Sequence, residues 1–132
     1  MILEAVLLDT HCWLWLLTEP SRFSPKTLAL LAVKETRLFL SVASIWEISI
    51  KSQLGKLQLP EKPHKYIPEK MAELGVGELV IAGAHAILAG QLPRHHLDPF
   101  DRLIIAQSQI EGIPILTSDR AFSSYSVGRV PM

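Results

Sequence analysis

Short, wholly apolar runs recur along the chain, separated by longer stretches of helical pattern. Ala5-Val6-Leu7-Leu8 ends at Asp9, and Ile113-Pro114-Ile115-Leu116 leads to Asp119. Runs of this length read as strands buried on both faces. Leu38-Phe39-Leu40 and Leu79-Val80-Ile81 read the same way, and 127–130 reads as a last edge strand ended by Pro131. Helical patterns fall between them. Cys12 to Leu17 is apolar nearly all round. Ser24-Pro25 reads as an N-cap and first helical position, opening a helix to about Glu35. Ser41 or Ser44 opens another to Leu54, stopped at Gly55. Further helices are expected over 64–74 and 84–91, and from Asp98 to Gly112. Strands alternating with helices imply a parallel sheet covered on both faces, an α/β architecture. The 132 residues are read as one domain, 1–132, with no repeat or linker.

In such sheets ligands bind beyond the carboxyl ends of the strands, where the strand order reverses. Asp9 and Asp119 should both lie on that edge. Either could simply cap the turn of helix after it. Two together are harder to dismiss, because like charges at roughly 5 Å repel by about 3 kcal/mol at an effective dielectric near 20. A fold that gathers them protonates one or binds a cation.

Two further acids carry competing readings. Glu47 and Lys51, four apart, suit a favourable surface pair. Yet Ile45, Trp46, Ile48 and Ile50 leave that helix only a narrow polar stripe, and a carboxylate on a mostly buried helix needs a partner, Lys51 or a metal. In His96-Leu97-Asp98-Pro99-Phe100-Asp101-Arg102, Asp98 precedes a proline suited to the first helical turn and so reads as the N-cap. Asp101 falls at the third helical position, where the short side chain closes a capping box poorly. Asp98 is therefore expected to hold the helix start, and Asp101 to do chemistry. His95 and His96 are adjacent and would not normally ligate one ion together. His11, His64 and His85 are scattered.

Several classes are excluded or weakened. Net charge is zero, which argues mildly against a non-specific nucleic-acid binder. No apolar run reaches the length of a membrane span, and the opening residues are not read as a signal peptide. The one cysteine, Cys12, permits no internal disulfide, which agrees with a cytoplasmic protein. No structural zinc spacing occurs, nor any of the usual nucleotide or hydrolase motifs. An all-carboxylate set selects a hard cation such as Mg²⁺ or Mn²⁺. A phosphatase with an Asp nucleophile would usually carry a second Asp two residues after Asp9, and His11 stands there.

Asp9-Thr10, Glu47 within a Trp-Glu-Ile helix, Asp101 and Thr117-Ser118-Asp119 follow an order that resembles the PIN domain. The strings LLDTHCWLW, SVASIWEISIKSQLGKLQLP, HLDPFDRLIIAQS and ILTSDRAF are similar to the VapC-type toxins of bacterial toxin–antitoxin pairs along nearly the whole chain. The resemblance implies a three-layer α/β/α sandwich around a mostly parallel sheet. It implies an Mg²⁺- or Mn²⁺-dependent endoribonuclease, a homodimer and a small antitoxin partner. The family's acidic positions carry over to Asp9, Glu47, Asp101 and Asp119, as catalytic residues and metal ligands, and its polar residue to Thr10. Glu47 is left as a direct ligand, a water-mediated one or the base. Lys51 and Arg102 are expected to meet RNA phosphates, with solvated or paired side chains as the alternative. The rivals are a non-catalytic PIN-fold interaction module and a DNA-directed PIN-like nuclease. The apolar stretch with Trp13 and Trp15 is expected at an interface, such as that of a homodimer, because a helix apolar all round must be buried or covered.

Overall fold

The computed structural model describes residues 3–96 and 98–132. The chain runs β1 (Ala5–Leu8), α1 (Thr10–Thr18), α2 (Pro25–Leu31), β2 (Arg37–Ser41), α3 (Val42–Gln53), α4 (Pro63–Leu74), β3 (Val76–Leu79), α5 (Gly83–Gln91), α6 (Pro99–Glu111), β4 (Ile115–Leu116) and β5 (Arg129–Val130). The strands form one sheet in the order β3-β2-β1-β4-β5. Every pairing is parallel, with Leu8 opposite Leu40 on one side and Leu116 on the other.

The pleat sorts β1 into two cores. Val6 and Leu8 point to one face, where with Leu40 of β2 they meet Cys12, Trp13, Ile48, Ile67 and Met71 from the α1–α4 side. Leu7 points to the other, against Ile104, Ile105, Ile115 and Phe122 on the α5–α6 side. Side chains alternate along a strand, so a run apolar at every position must be covered twice. The result is helices on both faces of a parallel sheet, an α/β/α sandwich.

Several boundaries moved from the sequence expectation. The third strand is 76–79, not 79–81. Gly75 takes φ 66°, the left-handed cap that ends α4, and the chain enters β3 at once. As an edge strand, β3 buries only Val76 fully, whereas the more apolar Val80 is exposed. Helix α2 stops at Leu31, short of Glu35, and the last strand shrinks to two residues. Helix α1 is largely absorbed by its own chain: Cys12 and Trp13 are fully buried, and Trp15 is partly covered, with the Arg22 guanidinium 4.4 Å from its ring centre. Trp13 is therefore a core residue, which removes it from the expected interface. No helix among the described residues is long and apolar enough to cross a membrane.

Candidate active site

The strand order reverses at β1, because the chain goes on from β1 to β2 and β3 on one side and then returns to β4 on the other. Asp9 follows β1 immediately, and Thr117 to Asp119 follow β4. Both therefore stand at the carboxyl edge of neighbouring central strands. A cavity of about 500 Å³ lined by Glu4, Arg37, Glu111 and Pro114 lies at the opposite end of the same strands.

Asp9 makes no side-chain cap to α1. Its Oδ2 instead accepts from Thr117 Oγ1 at 2.8 Å, which ties the ends of β1 and β4 together. Burial raises its pKa, opposed by the Thr117 hydroxyl and the charge of His11. Cys12, one helical turn away, is pushed up to about 12 by burial and then by the charge of Asp9, so its thiol stays protonated and inert.

Glu47 is buried on α3 and held at both oxygens. Thr10 Oγ1 lies 2.9 Å from Oε1 and 2.7 Å from Ser44 Oγ, and its single proton serves one of them at a time. Lys51 Nζ donates to Oε2 at 2.7 Å, and that hydrogen bond raises the lysine pKa. The pair is not the surface pair one reading allowed, since the Glu47 side chain is only 5% exposed. Thr10, expected at the substrate, is itself buried and used to orient Glu47.

The opening of α6 separates its two acids. Asp98 Oδ1 accepts from Phe100 N at 2.9 Å and from Asp101 N at 3.2 Å, so Asp98 is the N-cap. Asp101 does not close a capping box; the Asp98 amide donates to His96 Nδ1 instead, at 3.4 Å. Asp101 is mostly buried, and its pKa is pushed up to about 8, first by burial and then by the charges of Asp98, Asp9, Glu47 and Asp119. Asp119 Oδ1 accepts from Ala121 N at 2.9 Å, leaving Oδ2 for the cleft. The structure thus brings Asp9, Glu47 and Asp119 within electrostatic reach of Asp101, and Glu47 within reach of Asp9.

One residue at this site was not singled out from the sequence. His96 Nε2 lies 2.8 Å from Asp101 Oδ2 and 3.4 Å from Asp119 Oδ2. Neither approach follows an N–H direction, so this buried nitrogen has no hydrogen-bond partner. His96, Asp101 and Asp119 each present one ligand atom, all within 4.8 Å of one another, a spacing that could hold a metal ion. The sequence signal was the position of His96 two residues before the cap, where a ring can reach back over the first turn of α6. Treating His95 and His96 as a pair hid it.

Arg102 does not face the site as expected. Its guanidinium donates to the carbonyls of Ala89, Leu92, Pro93 and His96 at 2.9–3.1 Å. It clamps the end of α5 and the loop that carries His96. We expect Arg102→Gln to cost roughly 2 kcal/mol, as loss of hydrogen bonds to a charged donor does. Chemical denaturation should show this.

A family model described as PIN domain matches residues 6–128. Ribonuclease VapC16 of Mycobacterium tuberculosis is 42% identical over 63 residues, covering 41% of this chain and 45% of that relative. The chain's match therefore spans less than half the length of this curated relative. Among solved structures, VapBC2 from Rickettsia felis, bound to a DNA fragment from its promoter, superposes with a TM-score of 0.71 at 14% identity, covering 95% of this chain and 96% of that one. DNA-bound VapBC from Salmonella typhimurium gives 0.65 at 20% identity over 98% and 96%. A toxin–antitoxin complex from Klebsiella pneumoniae gives 0.65 at 18% identity over 96% and 98%. These structural likenesses bear on the fold.

Proposed function

The chain belongs to the PIN domain family, and from that premise we propose that it is a metal-dependent endoribonuclease, the toxin of a toxin–antitoxin pair. The observation that carries this reading is the convergence of Asp9, Glu47, Asp101 and Asp119 at the switch point, where burial first, and then the charges of neighbouring acids, push Asp101 up to about 8. The cations beside these carboxylates are few: Lys51 is bonded to Glu47, and His11 bears on Asp9. The orphaned nitrogen of His96 and the oxygen-rich donor set fit a divalent cation. The likeness to a protein named a ribonuclease supports RNA as substrate. The likeness in fold to the toxin–antitoxin complex from Klebsiella pneumoniae supports a small antitoxin partner.

In this reading Asp9, Asp101 and Asp119 would hold Mg²⁺ or Mn²⁺, which would supply a water of lowered pKa and offset charge on the phosphate. Glu47, clasped by Lys51 and Thr10, cannot swing; it serves as a further ligand, directly or through water, or as the base that takes the proton of the attacking water. The reaction adds that water at phosphorus, breaks the bond to the leaving oxygen and delivers a proton to it. Lys51, 40% exposed at its side chain, keeps donors free for a phosphate. The reading extends to one PIN domain over 1–132, a homodimer and a cytoplasmic location. The lone buried Cys12 suits a reducing compartment.

The test is direct. Purified protein is incubated with single-stranded RNA, and with DNA of the same sequence, in Mn²⁺ or in EDTA. Internal cuts in RNA that vanish in EDTA are expected. Intact RNA with Mn²⁺ bound at the site would leave an interaction module as the better reading, and cuts confined to DNA would reverse the substrate.

A further inference from the structure

We propose that His96 is a direct nitrogen ligand of the site's divalent cation and tilts the site toward Mn²⁺ over Mg²⁺, an inference that rests on the metal-dependent reading above. The acids alone would make an all-oxygen site, the kind suited to Mg²⁺. An imidazole nitrogen changes that preference, because nitrogen donors suit later, more polarisable divalent ions better than Mg²⁺.

Three observations converge on the ring. Its Nε2 is buried without a hydrogen-bond partner, although two carboxylate oxygens lie 2.8 and 3.4 Å away. His96, Asp101 and Asp119 each offer one ligand atom within 4.8 Å of the other two, as ligands around one central cation must be when each bond is about 2.0–2.2 Å. The ring is also carried on a built support. Arg102 donates to the His96 carbonyl at 3.1 Å, and the His96 amide donates to Tyr125 Oη at 2.8 Å, which itself donates to the Pro93 carbonyl at 2.7 Å. Both sides of the residue's backbone are thus tied down. Its face packs edge-on to Phe122, with ring centres 6.0 Å apart.

Ligation through Nε2 puts the ring's proton on Nδ1. That displaces only the 3.4 Å contact from the Asp98 amide, one of the longest in the site. The Asp98 carboxylate continues to cap α6, so the helix start does not depend on this contact.

The experiment uses the intact wild-type chain loaded with Mn²⁺ and read by pulsed electron paramagnetic resonance. A bound imidazole gives a nitrogen-14 coupling on the Mn²⁺ signal, and carboxylates give none. The expected result is that coupling in the wild type and its loss in His96→Ala. Titration should show Mn²⁺ affinity of the variant falling by about 10- to 100-fold, at least the effect that outer-shell partners have, with Mg²⁺ affinity falling less. The wild-type spectrum needs no variant to fold, and His96→Gln serves as a second, polar replacement. A wild-type Mn²⁺ complex without nitrogen coupling overturns the proposal, as does Mn²⁺ failing to bind. So does an equal loss of Mg²⁺ and Mn²⁺ affinity in both variants. The two readings fail separately. Nitrogen coupling in a protein that cuts no RNA keeps the ligand and removes the nuclease. Mn²⁺-dependent cutting without nitrogen coupling does the reverse.

Discussion

Asp101→Asn is expected to reduce Mn²⁺-dependent RNA cleavage by well over a hundredfold while leaving the fold intact. The size follows from the proposed role: even partners one shell removed from a metal cost about 10- to 100-fold when lost, and in the proposed function Asp101 offers its oxygen to the cation itself. The fold survives because Asp101 has no role in starting α6. Its side chain does not close the capping box, and the cap is made by Asp98. Replacing the carboxylate by an amide also removes a group that burial and four neighbouring acids destabilise as an anion. Without added cation, Asp101→Asn should therefore melt no lower than the wild type at pH 8. Asp98→Ala supplies the contrast. It should lower stability by about 1 kcal/mol, as lost caps do, and cost cleavage far less than Asp101→Asn. Cleavage assays beside thermal melts separate the two. Wild-type cleavage by Asp101→Asn would refute the division of labour between these acids.

The parts of this site that were legible in the sequence are those fixed by strand ends and helix starts. Asp9 and Asp119 followed from two apolar runs and the rule that parallel sheets bind at their carboxyl edge. Asp98 as cap followed from Asp-Pro at a helix opening, where sequence and local geometry are the same statement. The side chains that failed were those whose role depends on tertiary direction. Arg102 sits beside Asp101 in sequence, yet it points back along α6 to the carbonyls at the end of α5. Thr10 is next to Asp9, but one position around a helix turns it inward to Glu47. His96 needed the loop from α5 to be placed before its ring could be aimed. The third strand was misplaced for a related reason. Hydrophobicity marked 79–81, but an edge strand buries little, and a left-handed glycine at 75 decided where β3 begins.

The second large effect is a dependence of stability on pH that the cation should remove. In the folded chain Asp101 keeps its proton up to about pH 8, whereas its ordinary value is 3.8. Between those limits the folded state binds a proton that the unfolded state has released. Stability then falls as pH rises, because its slope follows the protons bound unfolded minus those bound folded. The contribution is complete below about pH 4 and gone once pH passes the folded value. Asp9, also raised by burial, adds in the same direction. From pH 6 to 8 the ceiling from Asp101 is about 2–3 kcal/mol at 1.36 kcal/mol per unit. Its side chain is 17% exposed, so solvent screening trims this only in part. For a chain of this size that is a fall in Tm of roughly 5 °C or more. Melts in EDTA across pH 5–9 should show the decline and a plateau above about pH 8. Saturating Mn²⁺ takes the proton's place on the carboxylates, so the rise in Tm that it produces should grow with pH up to the same point. His96 faces the same carboxylates, and for that reason the decisive comparison is with Asp101→Asn, where the slope due to Asp101 is absent. A cation-free wild type whose Tm is level between pH 6 and 8, or a slope unchanged in Asp101→Asn, would mean that burial and the neighbouring acids do not hold the Asp101 proton as their placement requires.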